Sequence, residues 1–198
     1  RGCEAFHLYL VAQRQLYEGH YEQAMKTALR LADYEDILDM QTIYSIIALT
    51  TYYNKFFMQC SKAFIKLEAS GDINEEMRTK FSDLALRIFT RNQPRDPSSR
   101  MMPCPKCHQR MHDWCVSCPS CNYRLPFCVA SGRSIFPEEK AGGLHGPEDG
   151  AGVLGSASGV VKCRCCRHRM YTSEVRKLRN CPLCHSRLDA AYNNEPRF

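Results

Sequence analysis

From Ala5 to about Asn92, apolar side chains recur at three- and four-residue steps, the spacing that lays a single stripe along an α-helix. Breaks at Gly19, around Asp36–Met40, near Asn54 and at Gly71 divide this stretch into five predicted helices of roughly 13 to 18 residues. Ala24, Ala28 and Leu31 mark one stripe, Ile43, Ile46 and Ile47 another, and Phe57, Cys60, Phe64 and Leu67 a third. The last is the clearest: Met77, Phe81, Leu84, Ala85, Ile88 and Phe89 share a face. Asp72 or Asn74 is placed to cap it, and Glu75 and Glu76 sit in its first turn, where the helix dipole favours negative charge.

Short breaks between amphipathic helices predict antiparallel hairpins, and small residues such as Ala24, Ala28 and Ala63 let backbones approach closely. The predicted fold class is therefore mainly α, an antiparallel α-solenoid of tetratricopeptide-like hairpins over residues 1–93. Ala28 and Ala63 stand 35 residues apart, near the tetratricopeptide period, although the fuller repeat consensus is missing. The chain starts at Arg1 and opens directly into helical pattern, which is the expectation for the C-terminal part of something longer. Its most apolar run, Ile43 to Ala48, is far shorter than the roughly 20 residues of a membrane-spanning helix, so no span is expected.

The pattern changes after Gln93. Residues 94–103 hold three prolines and two serines and read as a linker at a domain boundary. Residues 137–161 are glycine-rich and too poor in apolar side chains to order themselves, so they read as a disordered insertion. On either side lie two small β-rich units, 104–136 and 162–190, with a tail at 191–198.

Cysteine decides what those units are. Eleven of the 13 cysteines lie between Cys104 and Cys184, and eight of them form four C-x-x-C pairs. The odd count and the close neighbours disfavour disulfides and point to metal in a reducing compartment. Cys104 and Cys107 are followed after ten residues by Cys118 and Cys121, zinc-ribbon spacing with room for one strand out and one back. Cys163 and Cys166 are followed after fourteen by Cys181 and Cys184. Two structural Zn2+ ions are expected, one per set, because four sulfurs close the coordination shell and leave no position for an activated water. An enzyme is not expected.

Forty-one residues separate Cys121 from Cys163, which excludes an interleaved cross-brace, and no βαβ context surrounds a thioredoxin-type pair. Cys115 offers an alternative pair with Cys118 but would leave Cys121 idle. Cys128 reads as a buried small residue on a strand, and Cys165 as a bystander. His108, His112, His168 and His185 read as exposed or supporting, Cys3 and Cys60 as packing, and Trp114 as the cover of the first ribbon's core.

The formal charge of +6 falls almost entirely in the second half: residues 1–93 carry 11 basic and 12 acidic side chains, and the remainder carries 16 and 9. That excess raises a rival reading, a zinc-ribbon nucleic-acid-binding module using Arg164, Arg167, Arg169, Arg176, Lys177 and Arg179 on phosphates. Two tetrathiolate zinc sites would lower the tail to about +3, and Tyr171 alone is a poor stacking platform.

Beyond spacing, whole strings resemble a known family. Ala12-Gln13-Arg14-Gln15-Leu16-Tyr17-Glu18-Gly19-His20, Asp33-Tyr34-Glu35-Asp36-Ile37, Cys60-Ser61-Lys62-Ala63-Phe64-Ile65-Lys66-Leu67-Glu68 and Cys181-Pro182-Leu183-Cys184-His185-Ser186 resemble the C-terminal end of the intraflagellar transport protein 121 family. The resemblance implies a non-enzymatic subunit of the intraflagellar transport A complex, with WD40 propellers upstream of Arg1. It further implies retrograde transport with dynein-2 at the cilium and ciliary base, on the cytoplasmic side. Other subunits of that complex would be partners, and ciliary membrane-protein cargo would be served indirectly. On that reading partner subunits bind through apolar, tyrosine-rich helix faces around Tyr44, Tyr52 and Tyr53, although tyrosines so placed are more often core residues.

Overall fold

The computed structural model describes residues 1–71, 73–136 and 159–188. Four helices form two antiparallel hairpins and a fifth packs onto the second: α1 (Gly2–Tyr17), α2 (Tyr21–Ala28), α3 (Met40–Tyr53), α4 (Phe57–Ala69) and α5 (Glu75–Arg91). One apolar core runs through all of them, from Ala5, Leu8 and Ala12 through Leu31, Ile43 and Ile47 to Phe64 and Leu67. Along α5, Met77, Phe81, Ala85, Ile88 and Phe89 close it on one side, Phe89 meeting Phe64 edge-on at 6.0 Å.

The helix ends follow local chemistry. After α1, Gly19 takes φ +80°, a left-handed conformation that glycine adopts without a Cβ clash, and His20 N donates to Gln15 O while Gly19 N donates to Leu16 O. Asp39 accepts from Thr42 N at 2.8 Å to cap α3, and Asn74 accepts from Met77 N to cap α5, while Asp72, the other candidate, lies outside the described residues. Helix α2 is shorter than expected, eight residues, because the chain tightens into a 3₁₀ helix over Leu29–Tyr34. That winding puts Leu31 and Tyr34 in the core and Arg30 on the opposite side, where the tail packs.

Helix α4 is capped from a distance. Its preceding residue supplies no side-chain cap, and Asp96 Oδ1 accepts from Met58 N at 3.0 Å and Gln59 N at 3.3 Å. Residues 94–103 are thus tied to the helical block, and the last three form a strand: β1 (Met101–Pro103) pairs antiparallel with β2 (Arg110–His112). The 137–161 insertion is cut back in the same way, since β3 (Val160–Lys162) pairs with β4 (Arg169–Tyr171), while residues 137–158 lie outside the described residues. In both cases the first cysteine-bearing turn has a strand on each side, so the ribbon starts before its first cysteine. A four-residue helix, α6 (Thr172–Val175), takes up the extra length of the second ribbon. The 191–198 tail also lies outside the described residues.

Some packing differs from expectation. Cys3 is exposed, whereas Cys60 is fully buried in the helical core. Tyr44 is buried and its hydroxyl donates to Glu35, so it belongs to the core; Tyr52 and Tyr53 are exposed, with Tyr53 stacked on Tyr21 at 4.6 Å. Trp114 leaves the first ribbon's core to Met111 and Leu125 and instead fills the seam with the helices, edge-on to Phe56 and stacked on His112.

Candidate metal centres

Each C-x-x-C pair sits on the same turn. The amide of the first cysteine donates to the carbonyl five residues on, and the residue after the second cysteine donates back to the first cysteine's carbonyl. His108, Asn122, Arg167 and His185 occupy that last position, all with φ between 54° and 60°. This left-handed step carries a cost for a side-chain-bearing residue and curls the backbone so that both sulfurs point inward. An apolar residue seven positions after each first cysteine, Met111, Leu125, Met170 or Leu188, packs beneath the turn.

Paired turns bring the eight predicted cysteines into two tetrads, Cys104, Cys107, Cys118 and Cys121, and Cys163, Cys166, Cys181 and Cys184, with all four sulfurs of each within 4.8 Å of one another. Between turns, the sulfurs of Cys104 and Cys121 are 3.7 Å apart, those of Cys107 and Cys118 3.6 Å, those of Cys163 and Cys184 3.6 Å, and those of Cys166 and Cys181 3.7 Å. A tetrahedral ion with sulfur at about 2.3 Å demands edges of about 3.8 Å, whereas a disulfide needs about 2.05 Å. The donor set therefore fits zinc and no cystine.

The thiolate is favoured at two positions of each set, Cys104 and Cys118 in the first and Cys163 and Cys184 in the second, most strongly at Cys118 and Cys184. The Cys121 amide leads in pulling Cys118 down to about 6, and the Ser186 hydroxyl leads in pulling Cys184 down to about 5. Ser186 Oγ lies 3.0 Å from Cys184 Sγ and 3.4 Å from Cys163 Sγ, bridging the two turns of the second set. Tyr123 holds the same place in the first set, its carbonyl accepting from Cys118 as that of Ser186 accepts from Cys181.

Cys115 is half-buried and Cys165 exposed, both outside the tetrads. None of the four histidines joins a tetrad: Ser99 Oγ lies 2.7 Å from His112 Nδ1, and His168 Nε2 is 3.4 Å from Glu4.

Spacing alone did not reveal a fifth turn of the same build. Cys128 N donates to Arg133 O at 2.9 Å, Gly132 N returns to Cys128 O at 2.7 Å, and Gly132 holds φ +71°. Ile135, seven residues after Cys128, is buried. Ser131 stands where the second cysteine would be, so the turn offers a single sulfur. Cys128 is fully buried as expected, but on this turn rather than in a regular strand, and its sulfur accepts from Tyr171 N at 3.4 Å.

The fifth turn docks on the helical block. Gln15 Nε2 donates to Ser131 O at 3.0 Å, Arg30 Nε donates to Gly132 O at 2.8 Å, and His7 Nε2 is 2.7 Å from Val129 O. Since a carbonyl only accepts, His7 carries its proton on Nε2, and burial leads in holding its pKa below the usual value. Thr27 Oγ1 donates to Gln15 Oε1 and lies 3.2 Å from Ser131 O, completing the contact. Gly132 is required twice over, because a Cβ there would stand 2.2 Å from Thr27 Oγ1. Arg30 also stacks on Phe127 at 4.9 Å, and burial draws it down to about 10, leaving it charged at pH 7. On its far side the turn receives the second ribbon: Val129 N donates to Arg169 O, and Tyr171 OH donates to Ser134 O at 2.8 Å.

Two family models match this arrangement in order along the chain: IFT121-like TPR repeats over residues 1–96, and the IFT121 second zinc finger domain over residues 151–189. The chain belongs to the IFT121 family. WD repeat-containing protein 35 of Rattus norvegicus is 35% identical over 189 residues, 96% of this chain, and that of Homo sapiens is 36% identical over 186 residues, 94% of it. WD repeat-containing protein dyf-2 of Caenorhabditis elegans is 26% identical over 123 residues, 60% of the chain and 7% of its own length. The chain spans 13% of the length of each of the two WD repeat-containing protein 35 relatives. The helical block and second ribbon described above thus correspond to separately recognised IFT121 modules, with the first ribbon and fifth turn lying between them.

Proposed function

We propose that this region is a non-enzymatic scaffold of the intraflagellar transport A complex, with two structural Zn2+ ions holding its ribbons. Cys104, Cys107, Cys118 and Cys121 would bind one ion, and Cys163, Cys166, Cys181 and Cys184 the other. Bound zinc would supply folding free energy, and the all-sulfur shell would leave no coordination position for substrate or water. Partners on this reading are the other subunits of that complex, with ciliary membrane-protein cargo engaged indirectly. The site of action is the cilium and ciliary base, on the cytoplasmic side, in retrograde transport and the entry of membrane proteins.

The observation that carries the reading is the fifth turn. Gln15, Thr27 and Arg30 are buried polar residues of the helical block whose partners lie in the tail, so helices and ribbons form one continuous surface rather than tethered modules. Such a surface suits assembly. No helix among the described residues is long and apolar enough to cross a membrane. The nucleic-acid alternative lacks a stacking platform, because the second ribbon's aromatic residue, Tyr171, has its hydroxyl bound and its face under Arg133.

Co-expression with the other subunits tests the proposal. Assembly should follow zinc content, with two ions per chain in the complex and loss of both assembly and metal after chelation. A chain that loads two zinc ions yet enters no complex would sink the scaffold reading.

A further inference from the structure

The two ribbons share a plan, so equivalent edges can be compared. In the first, the loop between the metal-bearing turns and the ladder after it form the edge seated on the helices. Asp113 reaches Lys26 at 2.7 Å, Trp114 meets Phe56, and Arg124 reaches Asp33 at 2.6 Å. The ladders correspond residue by residue: Ser117 bridges Arg124 and Leu125 N donates to Val116 O, as Asn180 bridges Arg187 and Leu188 N donates to Arg179 O.

In the second ribbon no hydrogen bond or ion pair ties this edge to the helical block among the described residues. The inter-turn loop ends in Arg176 and Lys177, Arg179 stands at the place of Val116, and Arg187 at that of Arg124, all four exposed. Their backbones converge, since Arg179 O accepts from Leu188 N, next to Arg187, and Arg176 to Arg179 follow one another around the end of α6. Within residues 159–188 the sole carboxylate is Glu174, and it is engaged by Arg133 at 3.2 Å and Lys177 at 4.0 Å. Arg176, Arg179 and Arg187 have no carboxylate within ion-pair distance among the described residues, whereas Arg124 in the first ribbon has Asp33.

We infer that the edge formed by Arg176, Lys177, Arg179 and Arg187 docks an acidic segment of a partner polypeptide, as the matching edge of the first ribbon docks the helical block. The inference deepens the scaffold reading and rests on it for the partner being a protein. Guanidinium groups suit carboxylates through paired N–H donors. A lipid surface is the poorer fit, because Val160 is the only large apolar side chain exposed in the described part of this ribbon. Single-stranded nucleic acid is poorer too, with Tyr171 already occupied.

The test uses the zinc-loaded chain and a fluorescein-labelled ten-residue peptide of alternating glutamate and serine, followed by anisotropy at low and moderate salt. The double variant Arg176→Glu/Arg179→Glu should bind it at least tenfold more weakly, whereas Arg110→Glu on the first ribbon should change binding less than twofold. Zinc content and circular dichroism verify folding, and Arg187→Gln, expected to weaken binding about threefold, serves if the double variant loses metal. Equal binding by wild type and these variants overturns the inference. So does stronger competition, per charge, from a twenty-base-pair duplex or from phosphatidylserine vesicles than from unlabelled peptide. Complex assembly is a separate readout: its failure with peptide binding intact strikes the scaffold reading and leaves the acidic-segment chemistry standing.

Discussion

The two ribbons use one backbone plan in different surroundings. In the first, Cys107 is exposed and Tyr123 stands beside the sulfurs without offering them its hydroxyl, while Asp113, Trp114 and Arg124 tie the ribbon's edge to the helices. In the second, Ser186 bridges sulfurs from both turns, and attachment to the rest of the chain runs through β4, Glu174 and His168. The difference teaches that the turn geometry belongs to the backbone, while the side chains around it decide what the ribbon holds on to. The fifth turn is the limiting case, with the geometry retained and the metal set gone.

The largest effect should come from the metal. Chelation removes roughly 10–16 kcal/mol of apparent binding free energy per structural zinc site, so both ribbons should unfold. The helices should melt at a lower temperature as well, because Gln15, Thr27 and Arg30 lose their partners, and circular dichroism melts with and without chelator measure this. Substituting one ligand sharpens the comparison. Cys104→Ala or Cys181→Ala should each reduce bound zinc from two ions to one by elemental analysis, whereas Cys128→Ala should leave two.

Gly132→Ala comes next. It combines a left-handed φ, costing about 1–2 kcal/mol, with a clash on Thr27 that adds about 1–3 kcal/mol. Denaturant unfolding should show a loss of about 3 kcal/mol with both zinc ions still bound. A smaller change is expected for Ser186→Ala. With zinc present the sulfurs are thiolates and only accept, so the hydroxyl donates; its removal should weaken the second site about tenfold, in the range for supporting residues of metal ligands. Cobalt substitution provides the readout, with the thiolate-to-cobalt absorption of the second site shifting and that of the first unchanged. Equal shifts in both sites would break the distinction between them.

The smallest effect concerns the first ribbon's edge. Asp113→Asn should cost about 1 kcal/mol, because Lys26 keeps Glu22 at 2.6 Å. Burial works against the Lys26 charge, but its hydrogen bonds to Asp113 and Glu22 outweigh it and raise the pKa above 10.5. A raised folded pKa gives stability that is complete below the ordinary lysine value and is lost as pH rises through the folded one. Unfolding measured between pH 9 and 12 should therefore separate Asp113→Asn from wild type less and less as pH climbs.

The five helices and both tetrads were legible because period and C-x-x-C spacing are local signals. The strands at Met101–Pro103 and Val160–Lys162 were not, since three residues show no alternation and their pairing depends on the turn they flank. The fifth turn was hidden by a single replacement, Ser131 for cysteine. Its trace was nonetheless present: in all five turns an apolar residue follows the first cysteine by seven, as Ile135 follows Cys128. Trp114 was assigned to the ribbon's core because no sequence rule shows that Phe56, 58 residues away, lies beside it.

The fifth turn meets the helices almost wholly through main-chain carbonyls, those of Val129, Ser131 and Gly132. Every amino acid carries that carbonyl, so these hydrogen bonds do not themselves fix the identity of Val129 or Ser131; burial in the second ribbon's core fixes Val129. The identity of the contact is written instead on the helices, in His7, Gln15, Thr27 and Arg30, and a substitution there removes a specific donor. What the hydrogen bonds across this seam ask of the sequence is thus one-sided: in the loop the contact itself fixes only Gly132, and on the helical face it fixes each donor.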